Sequence, residues 1–469
     1  MIDPKQAAGS LPYMADARVR EATAPRLIVG TIVVAFVLAF SRWGTNIGIS
    51  PLFISDALIA LSVVHLWVSR GFRGPLSTDS RARGVTPLFV VFFAFIGTRV
   101  LLSLGQANML DWLRDSIPFL YAILAFLAAY GLRTSTSVTR AATARVLRWA
   151  LTIHLLWVAC VALTDNSGGF DVLGPLSAAP VLQVRPDIDV AIIGVAAGAC
   201  FRQVLLGRRR FWNLAGMTLA LLVVFTTTGT RAGQISLVIC LAAAFAFTYA
   251  ASRQAQGRRL AMAFLVPALL AATLIVLPTT SAGERLIATV APQLSANTDG
   301  QLNAQGTQRA REMTWDMVIT WTNEQPARAL FGSGFGNDFL QESGTKAFLE
   351  GTTYTNVRSP HNWFVGIYAR LGIIGLALAV LWVGQLMLIM WQTRQKVGAD
   401  DLLAVASLTV LAIIPVATLG VVLEAPFGAI PFFWAAGLIM ASRARLDSLS
   451  SKLPVTRSRL TRRAAARIT

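Results

Sequence analysis

The sequence predicts an all-α polytopic membrane protein with about twelve transmembrane helices, and three observations support this class. Hydrophobic residues make up 55% of the 469 positions, charged residues only 14%, and the mean hydropathy is +0.60. Apolar runs of roughly 18–20 residues recur along the chain, each long enough to cross a bilayer as a helix. The formal net charge of +18 lies mostly between these runs. A disordered chain is excluded by this apolarity, and a nucleic-acid-binding protein would carry its charge on one folded face.

Each apolar run predicts a helix, because the runs are too long and too uniformly apolar for the alternating strands of a barrel. The predicted spans, in order, are 27–40, 51–68, 86–104, 113–131, 146–164, 186–205, 211–228, 231–250, 260–278, 364–391, 402–420 and 427–442.

The distribution of lysine and arginine predicts the orientation of these spans. With twelve spans both termini lie on one side, and 29 of the 41 basic residues fall on that side. Cytoplasmic connections carry an excess of Lys and Arg, so this side is the cytoplasm. We therefore expect a multi-pass protein of the bacterial inner, or cytoplasmic, membrane with both termini inside. Its basic tail would contact anionic membrane lipids.

One long polar segment, residues 279–360, lies between the ninth and tenth spans and predicts a large extracytoplasmic loop. Met313, Met317 and Trp321 recur at helical spacing between Gln308 and Asn323, which predicts an amphipathic helix within an ordered cap. The predicted segments are a cytoplasmic N-terminus, spans 1–9, this loop, spans 10–12 and a basic cytoplasmic tail, at 1–26, 27–278, 279–360, 361–442 and 443–469.

Twelve basic residues lie outside the cytoplasmic segments, where topology or burial disfavours them. They are Arg42, Arg99, Arg114, Arg185, Arg231, Arg285, Arg309, Arg311, Arg328, Lys346, Arg358 and Arg370. Local pairing with acids, such as Arg114 with Asp111 or Asp115, is one interpretation of each. Because eleven of the twelve are arginine, which binds phosphate bidentately, the alternative for the set is an anionic lipid-linked ligand on the outer face.

Two motifs place single arginines where an anion could bind. Thr228-Gly229-Thr230-Arg231-Ala232-Gly233 puts Arg231 near a helix N-terminus at the outer surface; the alternative is a tight turn with a snorkelling arginine. Arg311 and Trp315 share one face of the predicted loop helix. The tryptophan would anchor the helix or stack against a sugar while Arg311 points at an anion; the alternative for Arg311 is a solvated surface charge.

Two further motifs precede the tenth span. The glycine-rich run Phe331–Asn337 predicts a turn that seats the loop on the membrane, with backbone N–H groups facing an anion, and a dinucleotide site is excluded because no strand precedes it. In Ser359-Pro360-His361, the serine suits a helix N-cap and the proline the first helical position. His361 would then lie in the first turn, where the positive helix end favours a neutral imidazole able to accept a hydroxyl proton.

Taken together, these motifs resemble the O-antigen ligase and Wzy polymerase superfamily of bacterial envelope polysaccharide glycosyltransferases. The matching residues are Thr228–Gly233, Arg311 with Trp315, Gly332–Asn337, Pro360–Asn362 and Leu371–Leu376. The topology, with both ends inside and a long outer loop after the ninth span, extends the resemblance over most of the chain. It implies a GT-C-like arrangement of helices.

The resemblance also implies a metal-independent glycosyltransferase without a cofactor. Such a protein moves a glycan from undecaprenyl diphosphate to a sugar hydroxyl of an acceptor at the outer face of the membrane. The acceptor is the lipid A-core for a ligase and the growing polymer for a polymerase. By resemblance, His361 is the base or orienter of that hydroxyl, and Arg231 and Arg311 bind the diphosphate and stabilise the leaving group. Further residues with implied roles are Arg185 and Arg114 at the diphosphate, and Trp315 and Asn362 at the acceptor or sugar.

Other functional classes remain as alternatives. A polyprenyl-lipid flippase or polysaccharide transporter would show inverted repeats or interrupted spans at matched positions, and the sequence shows neither. A metal-dependent membrane glycosyltransferase would place a carboxylate in the first outer loop, yet Ser41 to Ser50 contains Arg42 and no acid.

Overall fold

The computed structural model of the protein describes most of the chain. The described residues are 30–45, 47–49, 52–68, 84–106, 108–163, 184–226, 231–252, 298–350 and 358–450. The ninth predicted span, Arg285, Thr228–Thr230 and the tail beyond residue 450 lie outside these ranges.

The described residues are overwhelmingly helical. The helices are α1 (Gly30–Thr45), α2 (Ile54–Val68), α3 (Pro87–Leu102), α4 (Met109–Leu120), α5 (Ile123–Thr134), α6 (Ser137–Leu163), α7 (Pro186–Leu205), α8 (Arg210–Thr226), α9 (Arg231–Ala251), α10 (Thr298–Asn323), α11 (Pro326–Phe331), α12 (Phe339–Glu342), α13 (Thr345–Phe348), α14 (Trp363–Gln392), α15 (Arg394–Ala399), α16 (Asp401–Leu419) and α17 (Pro426–Ser450). A 3₁₀ turn, Val422–Glu424, joins α16 to α17. A two-residue hairpin between α1 and α2 pairs strand β1 (Gly48–Ile49) with β2 (Leu52–Phe53).

The helices agree in position with the predicted spans that the structure describes. Within the described ranges, six helical segments are long and apolar enough to cross a membrane: Met109–Arg133, Ser137–Ala162, Pro186–Leu205, Arg231–Ala251, Trp363–Gln392 and Asp401–Leu419. Shorter apolar helices occur at Gly30–Thr45, Ile54–Val64, Pro87–Leu102 and Arg210–Phe225. The protein is therefore an all-α membrane protein, and the total of twelve spans stays a prediction.

Buried aromatic and small side chains hold the bundle together. The centre is α7, which packs against α6, α8, α9 and α16. Trp382 of α14 is fully buried, and its ring stacks on Phe433 of α17 and Phe92 of α3. These ring contacts fix α14 between α3 and α17.

Ion pairs close the end of the bundle that the sequence predicts to be cytoplasmic. Asp401, the first residue of α16, contacts Arg148 of α6 at 3.1 Å, Arg202 of α7 at 2.6 Å and Arg208 at 3.4 Å. The neighbouring Asp400 contacts Arg140 at 3.1 Å. Part of the predicted cytoplasmic charge is thus paired within the protein.

The predicted outer loop contains ordered helices in the part that the structure describes. The amphipathic helix expected between Gln308 and Asn323 is the C-terminal part of α10. Both α10 and α11 pack against α14, and Val318 and Trp321 of α10 are buried with Phe339 and Leu340 in a small apolar core. This packing places α10 beside the start of α14, where His361 lies.

Candidate active site

A cavity of about 400 Å³ lies where several residues predicted to face outward converge. Five arginines from different parts of the chain line it, together with His361, Ser359 and two carboxylates. The arginines are Arg42, Arg114, Arg185, Arg358 and Arg370, and the carboxylates are those of Asp115 and Glu424. This excess of arginine makes the cavity suited to an anionic ligand.

The backbone at His361 differs from the sequence prediction. Asn362, not Ser359, is the N-cap of α14, because its Oδ1 accepts hydrogen bonds from the N–H groups of Phe364 at 3.0 Å and Val365 at 3.3 Å. Pro360 therefore precedes the helix, and His361 is the residue before the cap, outside the first turn. His361 has a φ of 55°, in the left-handed region where a residue with a Cβ is uncommon and strained.

The imidazole of His361 is neutral, as predicted, for a different physical reason. Burial is the largest cause, followed by the positive charges of Arg311 and Arg185, and together they lower the pKa of His361 to about 4. The charge of Asp187 opposes this shift. At pH 7 the ring therefore offers a lone pair rather than a positive charge.

Two predicted residues of α10 lie close to His361. The indole N–H of Trp315 donates to the carbonyl oxygen of Pro360 at 2.7 Å, so it ties α10 to the segment that carries the histidine. Arg311, one turn earlier, is half-buried and acts on His361 through its charge. The two residues predicted to contact a sugar thus make structural hydrogen bonds. Trp315 bonds to Pro360, and Asn362 caps the N-terminus of α14.

Arg185 lies at the N-terminus of α7, and part of its guanidinium is available to bind a ligand. It occupies the N-cap position of α7, and its Nε donates to the Asp187 carboxylate at 2.9 Å. Among the described residues no acceptor binds its two Nη nitrogens. The guanidinium also lies 4.9 Å from the ring centre of Phe427, which restricts its orientation.

Arg358, rather than Arg114, pairs with the acids of α4. Its guanidinium contacts Asp111 at 3.3 Å, Asp115 at 3.1 Å and Asp338 at 3.3 Å. The suggested pairing of Arg114 with Asp111 or Asp115 is therefore wrong, since these carboxylates turn towards the more buried arginine. Arg114 is exposed and has no ion pair among the residues that the structure describes.

Glu424 joins the cavity from the short connection between α16 and α17. Its side chain is only 9% exposed, contacts Arg370 at 3.1 Å and accepts a hydrogen bond from the hydroxyl of Ser359 at 2.9 Å. Burial raises the pKa of Glu424, and the charge of Arg370 opposes that shift. Ser359, predicted as a helix cap, instead fixes the segment before His361 to this carboxylate.

The glycine-rich run forms backbone hydrogen bonds to α14 where that helix is broken. Gly372 has non-helical dihedral angles (φ 66°, ψ −169°), which interrupt the helix within α14. The N–H groups of Ser333 and Gly334 donate to the carbonyl oxygens of Ala369 and Arg370 at 2.8 and 3.0 Å. The next N–H groups donate to Ser103 Oγ and Asp115 Oδ2. The expectation that these N–H groups face a bound anion is therefore wrong, because protein acceptors use them.

Arg231 begins α9 and is half-buried. Neither Arg231 nor Arg311 is among the described residues that line the cavity. His361, Arg185 and Arg114 are the predicted site residues that the structure brings together there. No group of three or more His, Cys, Asp or Glu side chains within the described ranges could hold a metal ion.

Residues 216–380 match the family model described as O-antigen ligase. The predicted resemblance to the O-antigen ligase and Wzy polymerase superfamily is confirmed. The matched segment contains Arg231, Arg311, Trp315, His361 and Arg370. No curated protein matches the chain. The match supports a membrane enzyme of the O-antigen ligase type of glycosyltransferase, whose partners are in general a lipid-linked glycan and an acceptor.

Several cavity residues lie outside the O-antigen ligase match, and the sequence assigned a site role to neither Asp115 nor Glu424. Arg42 and Asp115 come from α1 and α4, and Glu424 follows the matched segment. A signal for Glu424 was present, because it is the single acid between Leu402 and Arg443 in the predicted spans 11 and 12 and their connection. A buried acid in such a setting marks function or pairing.

Proposed function

We propose that the protein transfers a glycan from undecaprenyl diphosphate to a sugar hydroxyl of an acceptor at the outer face of the inner membrane, without a metal ion. One observation carries the proposal: a neutral, half-buried imidazole lies at the edge of a cavity with five arginines and two carboxylates. Phosphate oxygens need the arginines, and a hydroxyl nucleophile needs the imidazole.

The arginines that line the cavity, Arg42, Arg114, Arg185, Arg358 and Arg370, are called the arginine wall. This wall binds the diphosphate and stabilises its charge as the bond to the sugar breaks. Arg185 offers its Nη nitrogens, Arg114 is exposed at the cavity, and both carry charge that the described carboxylates leave partly uncompensated. Arg311 adds positive potential from α10. Arg231 is assigned to the same diphosphate by the resemblance.

His361 accepts the proton of the acceptor hydroxyl. The hydroxyl oxygen forms a bond to the anomeric carbon, the bond from that carbon to the phosphate oxygen breaks, and its electron pair leaves with the diphosphate. A base with a pKa of about 4 is weak. A bound diphosphate would counter the charges of Arg311 and Arg185 and raise the pKa of His361. Donor binding would therefore make the imidazole a stronger base.

Transfer in reconstituted vesicles tests the proposal. The full chain is given an undecaprenyl-diphosphate-linked oligosaccharide and either a lipid A-core acceptor or a second donor molecule, in EDTA. We expect release of undecaprenyl diphosphate and a longer glycan on one acceptor, which separates ligase from polymerase. Strict dependence on added Mg²⁺ or Mn²⁺ would contradict the metal-independent mechanism. Movement of the lipid across the bilayer without bond cleavage would instead identify a flippase.

A further inference from the structure

A fully buried carboxylate lies directly behind the arginine wall. Asp189 of α7 has no exposed surface, and neither do its neighbours His154 of α6 and Ser41 of α1. A carboxylate at such a place in a membrane helix is costly, and it persists where function or a specific conformation requires it.

Asp189 fixes the backbone of Arg185. Its Oδ2 accepts a hydrogen bond from the backbone N–H of Arg185 at 2.6 Å, while the N–H of Asp189 donates to the Arg185 carbonyl at 3.0 Å. This reciprocal pair resembles a capping box, displaced by one residue, and it determines where α7 begins. The direction of the Arg185 side chain into the cavity follows from that start.

The same carboxylate lies close to the end of α1 that carries Arg42. Ser41 adjoins the Asp189 carboxylate and has a φ of 50°. Arg42 lies in the electrostatic field of Asp187, Asp189 and Arg185. Without the acids, two arginines facing one cavity would repel each other.

Helix α6 contacts both α7 and α1 beside Asp189. His154 Nε2 lies 3.3 Å from the carbonyl oxygen and 3.8 Å from Oδ1 of Asp189. One turn along, the indole N–H of Trp157 donates to the carbonyl of Ala39 in α1 at 2.7 Å. Thus α6 holds both the helix that carries Arg42 and the helix that carries Arg185.

We propose that Asp189 is a positioning residue of the diphosphate site, which holds Arg185 and Arg42 at the spacing that one diphosphate requires. This inference rests on the proposed function, because the site is that of the donor. Asp189 touches no substrate atom; it acts through the two arginines.

Two substitutions separate its hydrogen bond from its charge. Asp189→Asn keeps an oxygen that can accept the Arg185 N–H, whereas Asp189→Ala removes both. We expect Asp189→Ala to raise the KM for the lipid-linked donor about tenfold, the size of one lost charge-assisted hydrogen bond. The KM for the acceptor should stay the same, and Asp189→Asn should recover part of the loss. Asp401→Asn, which breaks a cluster at the opposite end of the bundle, is the matched control and should leave the donor KM unchanged.

Binding of farnesyl diphosphate to the purified full chain in detergent gives a second measurement that needs no catalysis. A Kd that rises in both Asp189 variants but not in Asp401→Asn supports the inference, even if the transfer assay fails for the wild type. If Asp189→Asn is folded and binds farnesyl diphosphate as tightly as the wild type, and Asp189→Ala changes both KM values alike, the inference is overturned. Failure of the wild type to bind farnesyl diphosphate would overturn the inference and the diphosphate site together.

Discussion

At the scale of single residues, the site depends on how side chains share charge. Arg358 contacts three carboxylates and Arg370 contacts two, so these arginines hold the cavity wall. Arg185 and Arg114 retain capacity for a ligand. His361 lies among the positive charges without a charge of its own, which is the arrangement that a base beside a bound anion requires.

The first prediction concerns the imidazole of His361. Because asparagine tolerates positive φ, His361→Asn should keep the backbone and remove the base. We expect kcat to fall by about 10²–10⁴-fold, the usual contribution of a general base. Initial rates of glycan transfer by the folded variant would measure this. Activity within a few-fold of wild type would show that His361 is not the base.

The second prediction is the pH dependence that follows from the lowered pKa. A base must be neutral, so activity is lost as pH falls through its pKa. For the free enzyme, kcat/KM should fall only near pH 4. In the donor complex the anion raises the pKa of His361, so the acidic limb of kcat should lie at higher pH. Identical limbs would contradict the proposed effect of donor binding.

The third prediction uses two neighbouring arginines of α10. Arg311 is half-buried and lowers the pKa of His361, whereas Arg309 is exposed. Arg311→Gln removes a positive neighbour and should move the acidic limb of kcat/KM to higher pH, with weaker donor binding. Arg309→Gln is the matched control and should leave both unchanged. Equal effects of the two substitutions would show that Arg311 acts only through the overall positive charge of α10 and has no specific role beside His361.

At the scale of elements, the broken helix α14 connects the outer loop to the bundle. Gly332 has a φ of 76°, and a Cβ there would overlap the carbonyl of Arg370; a Cβ on Gly372 would likewise overlap Leu330. The two glycines therefore permit a close crossing of the loop and α14. This crossing satisfies carbonyl groups that the break would leave without partners.

The fourth prediction tests the close crossing of the loop and α14. Gly332→Ala should destabilise the protein by about 1–3 kcal/mol from the left-handed backbone alone, with further loss from the overlap, and should reduce transfer. Gly384→Ala in the inner part of α14 is the control, because a Cβ there meets no atom within 4 Å. Thermal unfolding of the detergent-solubilised chain compares the two. Equal stability and activity would show that the crossing is dispensable.

At the scale of the whole molecule, charge is sorted between the two ends of the bundle. Asp400 and Asp401 hold arginines at one end, and Asp115 and Glu424 hold arginines at the other. The positive-inside rule predicts that the first end faces the cytoplasm.

The fifth prediction tests that orientation. After replacement of the three native cysteines, Cys160, Cys200 and Cys240, a membrane-impermeant maleimide should label Glu342→Cys of α12 in intact spheroplasts. Arg209→Cys, which is exposed beside α8, should react only after permeabilisation. The reverse pattern would place the cavity in the cytoplasm and contradict the proposed location of the reaction.

The sequence alone predicted the membrane class, the positions of the described apolar helices and the loop helix, and it named His361, Arg185 and Arg114, which the structure brings to one cavity. These follow from hydropathy, charge asymmetry and local motifs, which operate over a few turns of helix. Only the tertiary structure decided which arginine each carboxylate binds, that Asn362 caps α14, and that the glycine run bonds to a broken helix. Such pairings join residues far apart in sequence. Their energy depends on burial and on distances of 3 to 4 Å, which local patterns do not encode.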